Sequence, residues 1–180
     1  MESFTILDVV KTQIHRYRVA ITQEERQNIL VYGDTPLLYF LARIPLTFLV
    51  TYVVIQKPIE EFRKTAFAKI SNIPEGAETV PMAKRTIYPL ATESGRKYIP
   101  IFTDTEEYRK SVYPQYLNKL FMEAYESYPS VYLHMLKDLQ YDDVLINPGS
   151  QDLSMPKDLF ESFMSKGIWK KPSVFAIQYL

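Results

Sequence analysis

Apolar positions in the first third of the chain recur at helical spacing and then change period. Phe4, Leu7, Val10, Ile14 and Tyr17 fall three or four positions apart, which predicts one inward helical face over residues 4–19. Thr22-Gln-Glu-Glu25 has the form of a capping box, in which the Thr oxygen and the Glu carboxylate satisfy terminal amides reciprocally. A second helix should start there and end at Gly33 in a left-handed turn. Asp34-Thr35-Pro36 restarts a helix with proline in its first turn, turning Leu37, Leu38, Phe40 and Leu41 inward until Ile44-Pro45 stops it. From Thr47 to Gln56 the chain is rich in Val, Thr and aromatics, with apolar side chains at both parities. That pattern predicts a strand covered on both faces.

Beyond this strand, Ile59, Phe62, Ala66 and Phe67 suit a short helix, and Asn72-Ile-Pro-Glu-Gly76 suits a turn. Thr86–Ala91 and Arg96–Phe102 flank Thr92-Glu-Ser-Gly95, a hairpin whose glycine supplies the positive φ. Pro89 and Pro100 each remove a ladder donor, so each strand should leave a side unpaired or bulge there. Thr103-Asp-Thr-Glu106 predicts another capping box. Tyr113, Leu117, Leu120, Phe121 and Ala124 predict helix, divided at Pro129 from a second helix capped by Ser127 and carrying Val131, Leu133, Leu136 and Leu139. Asp143–Ile146 reads as a short buried strand cut off by Asn147-Pro148-Gly149. Ser154-Met-Pro-Lys-Asp158 should open a further helix that stops at Gly167, before a last strand at Val174–Leu180.

The mixture of elements predicts a single mixed α/β domain spanning 1–180, with helices packed on a mixed sheet and a helical segment at 1–33. Composition removes several classes of function. Lys plus Arg equals Asp plus Glu at 21 each, so no global field attracts nucleic acid. Zero cysteines exclude disulfides, thiol catalysis and thiolate metal sites, and fit a bacterial cytoplasmic protein. Met1–Val10 lacks the basic start and cleavage site of a signal peptide. Leu37–Ile55 approaches the length of a membrane span, but Arg43 and Pro45 interrupt it, so it divides into a helix and a strand. Tyrosine is abundant at 14, with 10 Phe, as expected of an aromatic core or an aromatic binding face.

Candidate chemistry is sparse. Asn147, Gly149, Ser150 and Asp152 occupy a strand-to-helix turn where an α/β protein can bind an anion, although one glycine is few for a phosphate loop. Asp142, Asp143 and Asp152 lack EF-hand spacing, and no metal or cofactor is expected. His15 and His134 lie on separate predicted helices without a paired carboxylate. Ser150 lacks the G-x-S-x-G elbow of a serine hydrolase. Lys84-Arg85, Arg96-Lys97, Arg109-Lys110 and Lys170-Lys171 are dispersed pairs suited to a solvated surface. Trp169 and Phe102 are the aromatic candidates for contact with a partner.

Two segments stand out together: Tyr98-Ile-Pro-Ile-Phe-Thr-Asp-Thr-Glu-Glu107 and Asp143-Val-Leu-Ile-Asn-Pro-Gly-Ser-Gln-Asp152. They resemble the N-terminal domain of the SseB (enhanced serine sensitivity) family, whose pattern is a "pvFT" strand followed by a "viNPgs" strand and turn. The resemblance covers Arg85 through Phe163, with a weaker match at Leu37–Pro45, placing the family-like core at about 37–165. Residues 58–78 and 113–140 depart from it. It implies a small cytoplasmic domain and brings no catalytic residues. The expectation is a non-catalytic protein-interaction or regulatory module, with an unidentified protein or a second copy as partner. The alternative is a small-ligand binder or enzyme using the Asn147–Asp152 loop.

Overall fold

The computed structural model describes residues 5–65, 75–115 and 122–165. Helix α1 (Ile6–Val19) starts at a capping box: the Thr5 hydroxyl accepts from the Asp8 amide at 3.2 Å, and Asp8 Oδ2 accepts from the Thr5 amide at 2.8 Å. Its inward face carries Val10, Gln13 and Ile14. Helix α2 (Gln23–Gln27) is capped by Thr22 and Glu25 as expected and runs into a π turn, Asn28–Tyr32. That helix ends at Gly33, but with φ −71° the terminus is not left-handed. Glycine is needed for a different reason. A Cβ there would stand 2.8 Å from the Asn28 carbonyl oxygen, which accepts the Gly33 N–H at 2.6 Å. Helix α3 (Leu37–Leu41) buries Leu37, Leu38 and Leu41 and ends before Pro45. No helix among the described residues is long and apolar enough to cross a membrane.

Among the described residues the sheet has seven strands: β1 (Leu46–Pro58), β2 (Thr79–Ile87), β3 (Leu90–Ala91), β4 (Lys97–Phe102), β5 (Met122–Ser127), β6 (Asp143–Ile146) and β7 (Leu153–Pro156). Its main path is β2-β1-β4-β6-β7, with β3 beside β4 and β5 beside β1. Among the described residues only β4 and β6 pair in parallel. The crossover between them holds α5 (Thr105–Lys110), β5 and α6 (Pro129–Leu136); α4 (Ile59–Thr65) follows β1, and α7 (Lys157–Ser165) follows β7. Mixed sheet and single domain agree with the expectation.

Pro100 sits where its missing donor does least harm. Ile101 accepts from Asn147 and Lys97 accepts from Asp142, so odd-numbered residues of β4 face β6 and even-numbered ones face away. On that far side β3 pairs with Lys97 and Tyr98, and β1 pairs with Ile101 and Phe102. Pro100 falls in the gap between them.

One face of the sheet holds the main core, in which Phe48, Val50, Ile101, Val144 and Met155 meet helices α1, α3, α6 and α7. Tyr132 of α6 lies at its centre, 4.3 Å from the Phe48 ring and 6.0 Å from Phe160. The opposite face holds a smaller cluster of Leu49, Phe102 and Met122 with Tyr108 and Tyr113.

Four expectations need correction. Residues 122–127 form strand β5, because pairing with β1 overrides the helical propensity of Met, Glu and Ala. Leu153–Pro156 is strand β7, its Leu153 and Met155 turned inward, so the last helix starts at Lys157. The caps of α5 and α6 are Asp104 and Tyr128 instead of Thr103 and Ser127. Finally, β1 is covered only over Leu46–Val50; residues 52–56 are exposed. Phe4, Ala66, Phe67, residues 72–74, Leu117, Leu120, Phe121, Gly167, Trp169, Lys170-Lys171 and the predicted strand Val174–Leu180 lie outside the described residues.

Candidate functional site

The turn after β6 is built around Asn147, which is fully buried and takes φ 50°. Asparagine tolerates this left-handed geometry better than other non-glycine residues. The bend lets its own carbonyl accept from the amides of Ser150, Gln151 and Asp152 at 3.2, 3.0 and 3.1 Å. Gly149 (φ 85°) donates its N–H to Asp152 Oδ1 at 2.8 Å, and Pro148 has none to give. Every backbone donor from 149 to 152 is therefore spent inside the turn. An anion at this loop would have to displace those bonds.

The Asn147 side chain ties the turn to the end of β4. Its Oδ1 accepts the Thr103 N–H at 2.8 Å, and its Nδ2 donates to Thr103 Oγ1 at 2.9 Å and to Gln151 Oε1 at 2.7 Å. The two motifs that carry the SseB-like resemblance thus meet through one amide. Ser150 Oγ donates to Glu107 Oε2. Glu107 is buried, 3.4 Å from Lys11 Nζ and 3.5 Å from Lys110 Nζ. Lys11 also lies 2.8 Å from Asp104 Oδ2. Burial opposes charge on both Lys11 and Asp104, but their mutual hydrogen bond and attraction outweigh it, raising the Lys11 pKa and lowering that of Asp104. The cluster is rich in carboxylates that are already paired, which disfavours an anionic ligand.

The other candidates are dispersed. Arg96 clamps Asp143 with two guanidinium bonds, Asp142 Oδ2 accepts the Lys97 amide at 2.7 Å, and Asp152 serves Gly149. No cluster of three or more His, Asp or Glu side chains suited to a metal ion occurs among the described residues. His15 and His134 are exposed on α1 and α6. Arg85 pairs with Glu123 at 3.5 Å and Lys110 with Glu106 at 2.7 Å, so these cations do not form a basic patch. Phe102, expected at a contact surface, is fully buried with Tyr108 and Tyr113 ring centroids 5.4 and 5.8 Å away. Its ring packs between β4 and α5 and presents no surface of its own. Two clefts of about 860 and 800 Å³ flank α2 and the π turn; neither includes a residue of the Asn147–Asp152 loop.

The open surface lies on the far part of β1. β5 pairs with Leu46–Thr51 and stops, whereas β2 pairs from Val50 to Pro58 on the other side. The Leu49 carbonyl accepts from Tyr88, and the Ile59 amide donates to Glu78, so odd-numbered residues of β1 direct their backbone toward β2. Tyr52, Val54 and Gln56 direct theirs outward, to an edge without a strand among the described residues. Their neighbours are apolar: Val54 is 72% exposed, Tyr52 48%, Val53 40% and Ile55 39%. At the base of this ribbon, Arg85 lies 4.1 Å from the Tyr125 ring centroid and donates to Tyr52 Oη at 3.0 Å; Tyr52 donates to Glu123 at 2.6 Å. The sequence showed the apolar run but not its exposure, because apolar residues at both parities read as double coverage. The available signal was length: β1 has 13 residues, and its neighbours on the core side have 6 or fewer. No family model, curated protein or solved structure matches this chain.

Proposed function

We propose that this chain is a non-catalytic protein-interaction module of SseB-like type, working in a bacterial cytoplasm through the open ribbon of β1 and β2. The observation that carries this reading is the exposed run Tyr52-Val-Val-Ile55 on an edge whose outer side has no strand among the described residues. Edge strands normally carry lysine, proline or a bulge as protection against pairing, and this one has neither Lys nor Pro before Lys57-Pro58. Unpaired backbone groups supply affinity in strand addition, while alternate side chains supply selectivity. The apolar side chains on both ribbon faces suit a partner strand with matching apolar positions. The SseB-like assignment is supported by the joining of Thr103 to Asn147, which makes one structural unit of the two motifs.

The test uses paired baits in the native host, wild type and Val54→Lys. A lysine at this exposed edge position should change stability by about 0.5 kcal/mol or less. A protein retained by wild type and lost with Val54→Lys supports the role. Equal recovery by both baits contradicts it.

A further inference from the structure

We infer that the ribbon's partner is a second copy of this chain, joined edge to edge by antiparallel pairing of β1 about a two-fold axis at Ile55. This rests on the interaction role proposed for that edge. Among the described residues, the outer side of β1 has no paired strand from Tyr52, just past the end of β5 at Thr51, to Pro58, where β1 ends. The midpoint of that stretch is Ile55. A two-fold axis there sets residues 52–58 of one copy against 58–52 of the other, so each open edge fills the other and neither β5 is displaced. A register centred on Val54 would set Lys57 against Thr51, where Met122 of β5 already pairs.

Backbone direction agrees with this register. Even-numbered residues carry the outward donors and acceptors, so Val54 and Gln56 exchange bonds with their opposites, and the Tyr52 N–H reaches the carbonyl of Pro58. Proline at position 58 costs one donor at the very end of the ladder, where edge prolines are tolerated. Side chains agree as well. Ile55 meets itself, Val53 meets the stem of Lys57, and Tyr52 meets Pro58. The two Lys57 charges are offset by four residues, about 14 Å at strand spacing, beyond the screening length of about 8 Å at physiological salt. No like charges stand opposite. Isologous two-fold contacts of this kind are the commonest route to a homodimer.

The chain has no cysteine, which permits a site-specific test on the whole protein. Ile55 is odd-numbered and would form a non-hydrogen-bonded pair, in which Cα atoms stand about 4.5 Å apart, inside the disulfide range of about 4.4–6.8 Å. Mild oxidation should cross-link Ile55→Cys efficiently and leave Ser94→Cys, in the exposed hairpin turn, uncross-linked. Sedimentation equilibrium from about 1 μM to about 1 mM should show a wild-type dimer. Ile55→Lys should raise its dissociation constant at least about tenfold through like charges set directly across the strands. An equimolar mixture of Ile55→Lys and Ile55→Glu should recover a heterodimer, which a merely misfolded variant could not do.

A dimer that survives Ile55→Lys and does not cross-link at position 55 overturns the inference by placing the contact elsewhere. A monomer at every concentration also overturns it. In that case, loss of a different protein from the Val54→Lys bait leaves the interaction role standing, and failure to lose one removes both.

Discussion

Replacing Asn147 with alanine tests the reading of its loop as a structural joint. The substitution removes the acceptor of the Thr103 N–H at 2.8 Å and the donors to Thr103 Oγ1 and Gln151 Oε1. Thr103 is buried, so its amide is left without a partner, at a cost of about 1–3 kcal/mol. Alanine must also hold φ 50°, which costs roughly 1 kcal/mol or more for a residue with a Cβ. Together these give about 3 kcal/mol. For a chain of this size each kcal/mol moves the melting temperature by about 2–4 °C, so a fall of about 6–12 °C is expected in a thermal scan. Asn147→Gly loses the same side-chain bonds but adopts the turn without strain. It should be about 1 kcal/mol more stable than Asn147→Ala. An alanine variant that melts within about 1 °C of wild type would refute the assignment and return the loop to the ligand-binding reading.

Two further predictions follow from burial and charge. Phe102→Ala should cost about 3–5 kcal/mol in denaturant unfolding, as truncation of a fully buried ring does; near-wild-type stability with impaired partner binding would restore Phe102 as a contact residue. Lowered in the folded state, the Asp104 pKa gives stability that is present above the ordinary carboxyl value of about 3.9 and is lost as pH falls through the folded value. Lys11 is raised, so its share is present below its ordinary value and is lost only as pH rises through the folded value. Asp104→Asn should therefore flatten the acid limb of a stability–pH curve and leave neutral to mildly alkaline behaviour similar in shape. An unchanged acid limb would contradict the pairing.

Local chemistry made much of the fold legible. Thr22 caps a helix because Glu25 stands three residues on, and Asn147-Pro-Gly149 ends a strand because those residues suit a turn. What stayed hidden depends on neighbours. Met122–Ser127 carries good helix formers, and only the availability of β1 makes it a strand. Leu153 and Met155 show two-residue alternation, too short a signal to compete with the helix that follows. Phe102 and Val54 were both apolar strand residues in sequence. The packing of Tyr108 and Tyr113 buries the first, and the early end of β5 exposes the second. The motif around Asn147 was recognisable, but the partners of the Asn147 and Ser150 side chains, Thr103 and Glu107, lie more than forty residues away in sequence.

Amide hydrogen exchange along β1, followed by NMR over a dilution series, tests the open edge most directly. At low concentration the amides of Val53 and Ile55, bonded toward β2, should be protected, while those of Val54 and Gln56 exchange freely; protection of the second pair should rise with protein concentration. Equal protection of Val53 and Val54 at every dilution would mean the edge is covered within one chain, and the account of this surface would be wrong.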